Sequence, residues 1–193
     1  MRTGAVGGPK DLQERGNRLN AIKVLEEDHA RLEALLNELV EADRTARTGL
    51  SERFAKELVV HTLAEDNIFL PQVEDAIEDS KRMTGEFFEG DVLTEASGLV
   101  AETYEHNRRI RDLLQRPPVA SEGEMDGLRE AMQRHIELEG ELFPKAREVL
   151  EEEDFERLGD LIEHCKWQVR GLEQASLASS SSFRPRPVET LLE

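Results

Sequence analysis

The sequence predicts an all-α protein: an antiparallel up-down four-helix bundle with an additional C-terminal helix and a disordered tail. Three observations carry this. The 193 residues are rich in Glu, Leu, Ala and Arg, which favour helices. No stretch alternates apolar and polar residues long enough to make a sheet. Apolar residues recur instead at steps of three and four, which draws one buried stripe along each of several helices. On this reading residues 1–18 are a flexible leader, 19–151 the bundle, 152–175 the additional helix and 176–193 the disordered tail.

The first helix is expected from about Asn20 to Thr45, with Ile22, Leu25, His29, Leu32, Leu36 and Leu39 on one face. Thr48-Gly49 ends it, and Ser51 is placed to cap the next. The second helix, about Glu52 to Asp79, turns Phe54, Leu58, His61, Glu65 and Ile68 inward, and Pro71 should kink or interrupt it. Residues 80–90 read as a connection. The third helix starts at Asp91 and carries Val92, Ala96, Leu99, Thr103, His106, Ile110 and Leu113 to about Gln115, where Arg116-Pro117-Pro118 stops it.

Ser121 with Glu124 forms a capping box for the fourth helix. That helix runs to about Leu150 with Leu128, Met132, His135, Glu139, Leu142 and Ala146 inward, and Pro144 repeats the interruption expected at Pro71. The fifth, about Asp154 to Gln174, carries Phe155, Leu158, Leu161, Ile162, Cys165, Trp167 and Val169, and packs on the bundle or on a second subunit. The tail has a Ser run and Arg-Pro-Arg-Pro, a composition that does not support a packed core.

The net charge of −17 argues against nucleic acid and anionic membrane surfaces, both of which select a basic face. No segment approaches the roughly 20 apolar residues of a spanning helix, and the N-terminus has no apolar signal-peptide core. The single cysteine, Cys165, cannot form an internal disulfide, so a cytoplasmic location is expected.

Two stretches echo each other: His61-Thr62-Leu63-Ala64-Glu65-Asp66-Asn67-Ile68-Phe69-Leu70-Pro71 and His135-Ile136-Glu137-Leu138-Glu139-Gly140-Glu141-Leu142-Phe143-Pro144. Each has His, Glu four residues on, Phe four further, then Pro within two. Positions i and i+4 share a helix face, so each His and its Glu reach one point. His29 and His106 each interrupt the preceding helix's apolar stripe. The chain is thus two αα-hairpins with matched polar residues, and a bundle brings His29, His61, Glu65, His106, His135 and Glu139 together midway along its length. A buried His or Glu needs a partner, and imidazole with carboxylate is a ligand set for iron, manganese or zinc. Four histidines and two bridging carboxylates, with an oxo or hydroxo bridge, leave open positions on a pair of iron ions; manganese is the alternative metal. A structural zinc site is closed and often built on Cys.

The order His…His-x3-Glu…His…His-x3-Glu, with Phe and Pro after each carboxylate, resembles the hemerythrin-like HHE cation-binding domain over roughly residues 20–150. The resemblance implies a four-helix bundle around a non-haem di-iron centre with Glu65 and Glu139 as bridging ligands. Oxygen-carrying hemerythrins have a further His one turn from the third-helix ligand. Here that position holds Glu102, about 40° round the helix from His106, which is either a seventh ligand favouring oxidised iron or a solvated, salt-bridged surface residue.

The expected function is binding of iron and of O2, peroxide or NO for sensing, storage or detoxification, by a monomer or homodimer. The alternatives are a di-iron enzyme, either a catalase-like peroxide scavenger or an oxygenase, and an interaction bundle with a vestigial site.

Overall fold

The computed structural model describes residues 19–84, 91–114 and 122–182. Helix α1 is Ala21–Glu41, α2 is Arg44–Ala64, a π-helical turn covers Glu65–Phe69, and α3 continues as Leu70–Thr84. Helix α4 is Asp91–Leu114, α5 is Glu122–Val149 and α6 is Glu152–Ser182. Among the described residues no strand occurs, and no helix is long and apolar enough to cross a membrane. The leader at 1–18, the Pro117-Pro118 stop, the Ser121 cap and residues 183–193 lie outside the described residues.

Three boundaries differ from expectation; one is the end of α3, which continues to Thr84 through residues 80–84 of the expected connection. Helix α1 ends at Glu41, and the next begins at Arg44, because Asp43 caps it by accepting from Thr45 N at 2.8 Å and Ala46 N at 3.0 Å. Ser51 is no cap: it is buried inside α2, and its hydroxyl donates to the Thr48 carbonyl. At the far end, α6 runs to Ser182, past the expected stop near 174.

The interior has two apolar clusters. One joins Leu32, Leu35, Leu36 and Leu39 of α1 to Phe54 and Leu58 of α2, Ile110 of α4, and Leu128 and Met132 of α5. The other joins Ile22 and Leu25 of α1 to Phe69, Val73 and Ile77, to Ala96 and Val100 of α4, and to Leu142, Phe143 and Ala146 of α5. Along the chain the helices meet these clusters in alternating order, which is the up-down antiparallel arrangement of a bundle with short connections. A band of buried polar residues separates the clusters: Asp28, His29, His61, Glu65, Thr103, Asn107, His135 and Glu139. Helix α6 lies along α1 and α2 and adds Phe155, Leu158 and Ile162 to the second cluster. Its approach is close. A Cβ on Gly159 would meet the Leu19 carbonyl oxygen at 1.7 Å, so only glycine fits there.

The π-turn explains one change of register. Proline offers no N–H, and its ring crowds the carbonyl four residues back, which for Pro71 is Asn67. The widened turn holds Asn67 and adds a residue before the helix resumes, so Phe69 is buried where Ile68 was expected. Pro144 has no such effect, and α5 runs unbroken through it.

Candidate metal centre

Helices α1, α2 and α5 each carry their polar residues to the band between the two clusters. His29 is on α1, His61 on the last turn of α2, Glu65 at the first position of the π-turn, and His135 and Glu139 one turn apart on α5. All five are buried, and each offers one donor atom within 4.8 Å of every other. His61 Nε2 lies 3.1 Å from His29 Nε2, 3.0 Å from His135 Nε2 and 2.5 Å from Glu65 Oε1. His29 Nε2 is 3.2 Å from Glu139 Oε2, and His135 Nε2 is 3.6 Å from Glu65 Oε1 and 3.7 Å from Glu139 Oε1. The Phe of each repeat closes the band on one side: Phe69 and Phe143 meet edge-to-face at 5.7 Å, and Phe143 stacks beneath His29.

These contacts cannot all be hydrogen bonds. An imidazole nitrogen carries one proton at most, yet His61 Nε2 faces two nitrogens and an oxygen. Glu65 Oε1 and both oxygens of Glu139 are buried with no hydrogen-bond partner. Lone pairs converging on one volume, without protons to separate them, fit a bound cation.

The electrostatics point the same way. Burial disfavours charge on His61, but Glu65 and Asp28 outweigh it and raise its pKa to about 9. His29 is lowered to about 3, by burial first and then by His61 and His135. Burial alone would raise Glu65, yet His61 and His135 hold it well below the ordinary carboxylate range. Glu139 is pushed well above that range by burial and by Glu65. Glu65 and Asp28 thus favour positive charge at His61, in the middle of the cluster.

Helix α4 presents a different residue from the one expected. Its buried line is Ala96, Val100, Thr103, Asn107 and Ile110. His106 is only half-buried and outside the five-residue group: its Nε2 donates to the Ala131 carbonyl at 2.9 Å, and its ring stacks on His135 with centroids 6.0 Å apart. Asn107, which the sequence reading passed over, is fully buried and donates to Glu65 Oε2 at 2.8 Å and to Asp66 Oδ1 at 2.9 Å. The signal was present, since 96, 100, 103, 107 and 110 also step by four and three.

The expectation for Glu102 is corrected. Its side chain is exposed and pairs with Arg134 at 2.7 Å, because the turn of α4 that buries Thr103 and Asn107 points residue 102 to solvent. Turned to solvent, Glu102 gives the cluster no carboxylate to favour oxidised iron. Glu33, Glu141 and His164 are exposed, whereas Asp66 is half-buried, held by Asn107 and by Arg111 at 2.6 Å. The inward face of α6 is Phe155, Leu158, Ile162 and Lys166; Leu161 and Trp167, expected in that stripe, are exposed.

Residues 20–146, more than half of the chain, match the hemerythrin HHE cation binding domain. No curated protein and no solved structure matches. With the helical bundle and the buried His/Glu cluster between its helices, the match establishes that the chain belongs to the hemerythrin HHE cation-binding family.

Proposed function

We propose that His29, His61, Glu65, His135 and Glu139 hold non-haem iron, in a two-ion centre completed by His106, and that this centre binds O2, peroxide or NO for sensing, storage or detoxification. The observation that carries it is the pair of fully buried carboxylates, Glu65 and Glu139, whose unpartnered oxygens face three imidazole nitrogens. Nitrogen and carboxylate donors without sulfur suit iron or manganese better than Cu(I) or structural zinc. Bound iron supplies a redox couple and an open position for a small ligand. The chain's own contribution is to fix the donors and exclude bulk water. Asn107 orients Glu65, Phe69 and Phe143 wall the site, and α1, α2 and α5 set the spacing.

A single-ion cage is the second reading, and the donor distances favour it. An octahedral ion with bonds of about 2.1 Å has neighbouring donors about 3 Å apart, and most of the closest contacts run from 2.5 to 3.7 Å. Five protein donors then leave one position open. Iron per chain, in unmodified protein and in His106→Ala, decides between them. The two-ion centre predicts loss of about half the iron in the variant; the single-ion cage predicts no change.

A further inference from the structure

Lys166 is the one lysine among the described residues that is buried, at 2% exposure, and it stands on the helix outside the family match. It continues the inward stripe of α6 after Phe155, Leu158 and Ile162, but where those three enter the apolar cluster it arrives at the level of the polar band. Its ammonium lies 2.9 and 2.8 Å from the two oxygens of Asp28 and also contacts Glu163. Asp28 precedes His29 on α1, is itself buried, and takes a further bond from Arg31 at 2.9 Å. Its Oδ2 faces His61 Nδ1 at 3.5 Å.

The chemistry of this line is directional. A histidine that ligates through Nε2 must carry its proton on Nδ1, and a carboxylate facing Nδ1 selects that tautomer and fixes the ring plane. A buried carboxylate does this only while charged, which is costly without a partner. An apolar residue at 166 would extend the stripe and leave Asp28 with the half-exposed Arg31 alone. We infer that Lys166 is a positioning residue of the metal centre: it holds Asp28 as the anionic acceptor that turns His61 Nε2 toward the metal, so that docking of α6 helps to build the site. This rests on the proposed metal reading and adds α6 to it.

The test uses the full chain loaded anaerobically with ferrous iron, followed by release of iron to a ferrous chelator and by the absorption spectrum after oxidation. Lys166→Met keeps the volume and removes the charge. It should speed iron release by about 10- to 100-fold, the usual cost of removing an outer partner of a metal ligand, and shift the spectrum. Asp28→Asn should do the same, and the double variant should release iron no faster than Asp28→Asn alone, because Lys166 acts through Asp28. Phe155→Leu trims the same helix within the apolar cluster and leaves Lys166 and Asp28 in place. It should lower the melting temperature and leave release rate and spectrum unchanged. If Lys166→Met does not fold, Lys166→Arg against Lys166→Gln carries the comparison, with only the charged residue keeping slow release. Unmodified protein that takes up no iron would overturn the metal reading itself. Iron uptake with an unchanged release rate in Lys166→Met, or effects of Lys166 and Asp28 that add, would overturn this inference alone.

Discussion

His61 Nε2 lies 3.0 Å from His135 Nε2, across 74 residues of sequence and with both rings buried. Two imidazole nitrogens at that distance can share one proton, but His29 and Glu65 crowd the same atom of His61. The cluster is therefore built for a cation rather than for its own internal hydrogen bonds.

Glu139 separates metal binding from stability. Burial already favours its neutral form, so Glu139→Gln should leave metal-free protein as stable as the parent or more so. The same change should abolish the gain from iron. At 100 to 1,000 times the dissociation constant that gain is about 3–4 kcal/mol, or about 6–16 °C in a chain of this size. Melting curves with and without iron check both parts.

Glu102→Ala should leave iron content unchanged and shift stability by less than about 0.5 kcal/mol, since the Arg134 pair it breaks is solvent-exposed. Loss of iron in this variant would return Glu102 to the ligand set.

Asn107→Ala should destabilise the fold by about 1–3 kcal/mol, because it strips buried hydrogen bonds from two carboxylates. It should also weaken iron binding by freeing Glu65 from its fixed orientation. Chemical denaturation and a chelator competition measure the two effects separately.

The pH dependence of metal-free protein should show opposite slopes on either side of about pH 6.5. His61 is raised to about 9, so its stabilising contribution is complete below 6.5 and is lost as pH rises toward 9. His29 is lowered to about 3, so folding opposes its protonation and stability falls as pH drops from 6.5 toward 3. A metal ion held by His61 would displace its proton, so loading near pH 7.5 should release protons. Melting temperatures across pH and calorimetry in buffers of different ionisation enthalpy test this.

The stripes of α1 and α5 were legible residue by residue because each has one strong apolar line: Ile22 to Leu39, and Leu128 to Ala146, are buried as read. Helix α4 was not. Two phases share Ala96, Thr103 and Ile110, and they differ in whether His106 or Asn107 faces inward. Analogy with the other repeat favoured the histidine, while packing favoured the asparagine. The shift from Ile68 to Phe69 was hidden because a π-turn has no hydrophobic period of its own. Lys166 was passed over because an apolar-stripe reading discards a lysine, and its partner Asp28 stands 138 residues away.

The most direct test of the central claim is the metal content of protein expressed with adequate iron, beside the Glu65→Ala and Glu139→Ala variants. About two iron atoms per chain are expected in the unmodified protein, one if the cage is mononuclear, with loss of iron from both variants. Zinc alone or no metal in the unmodified protein, or full iron retained in both variants, would contradict it.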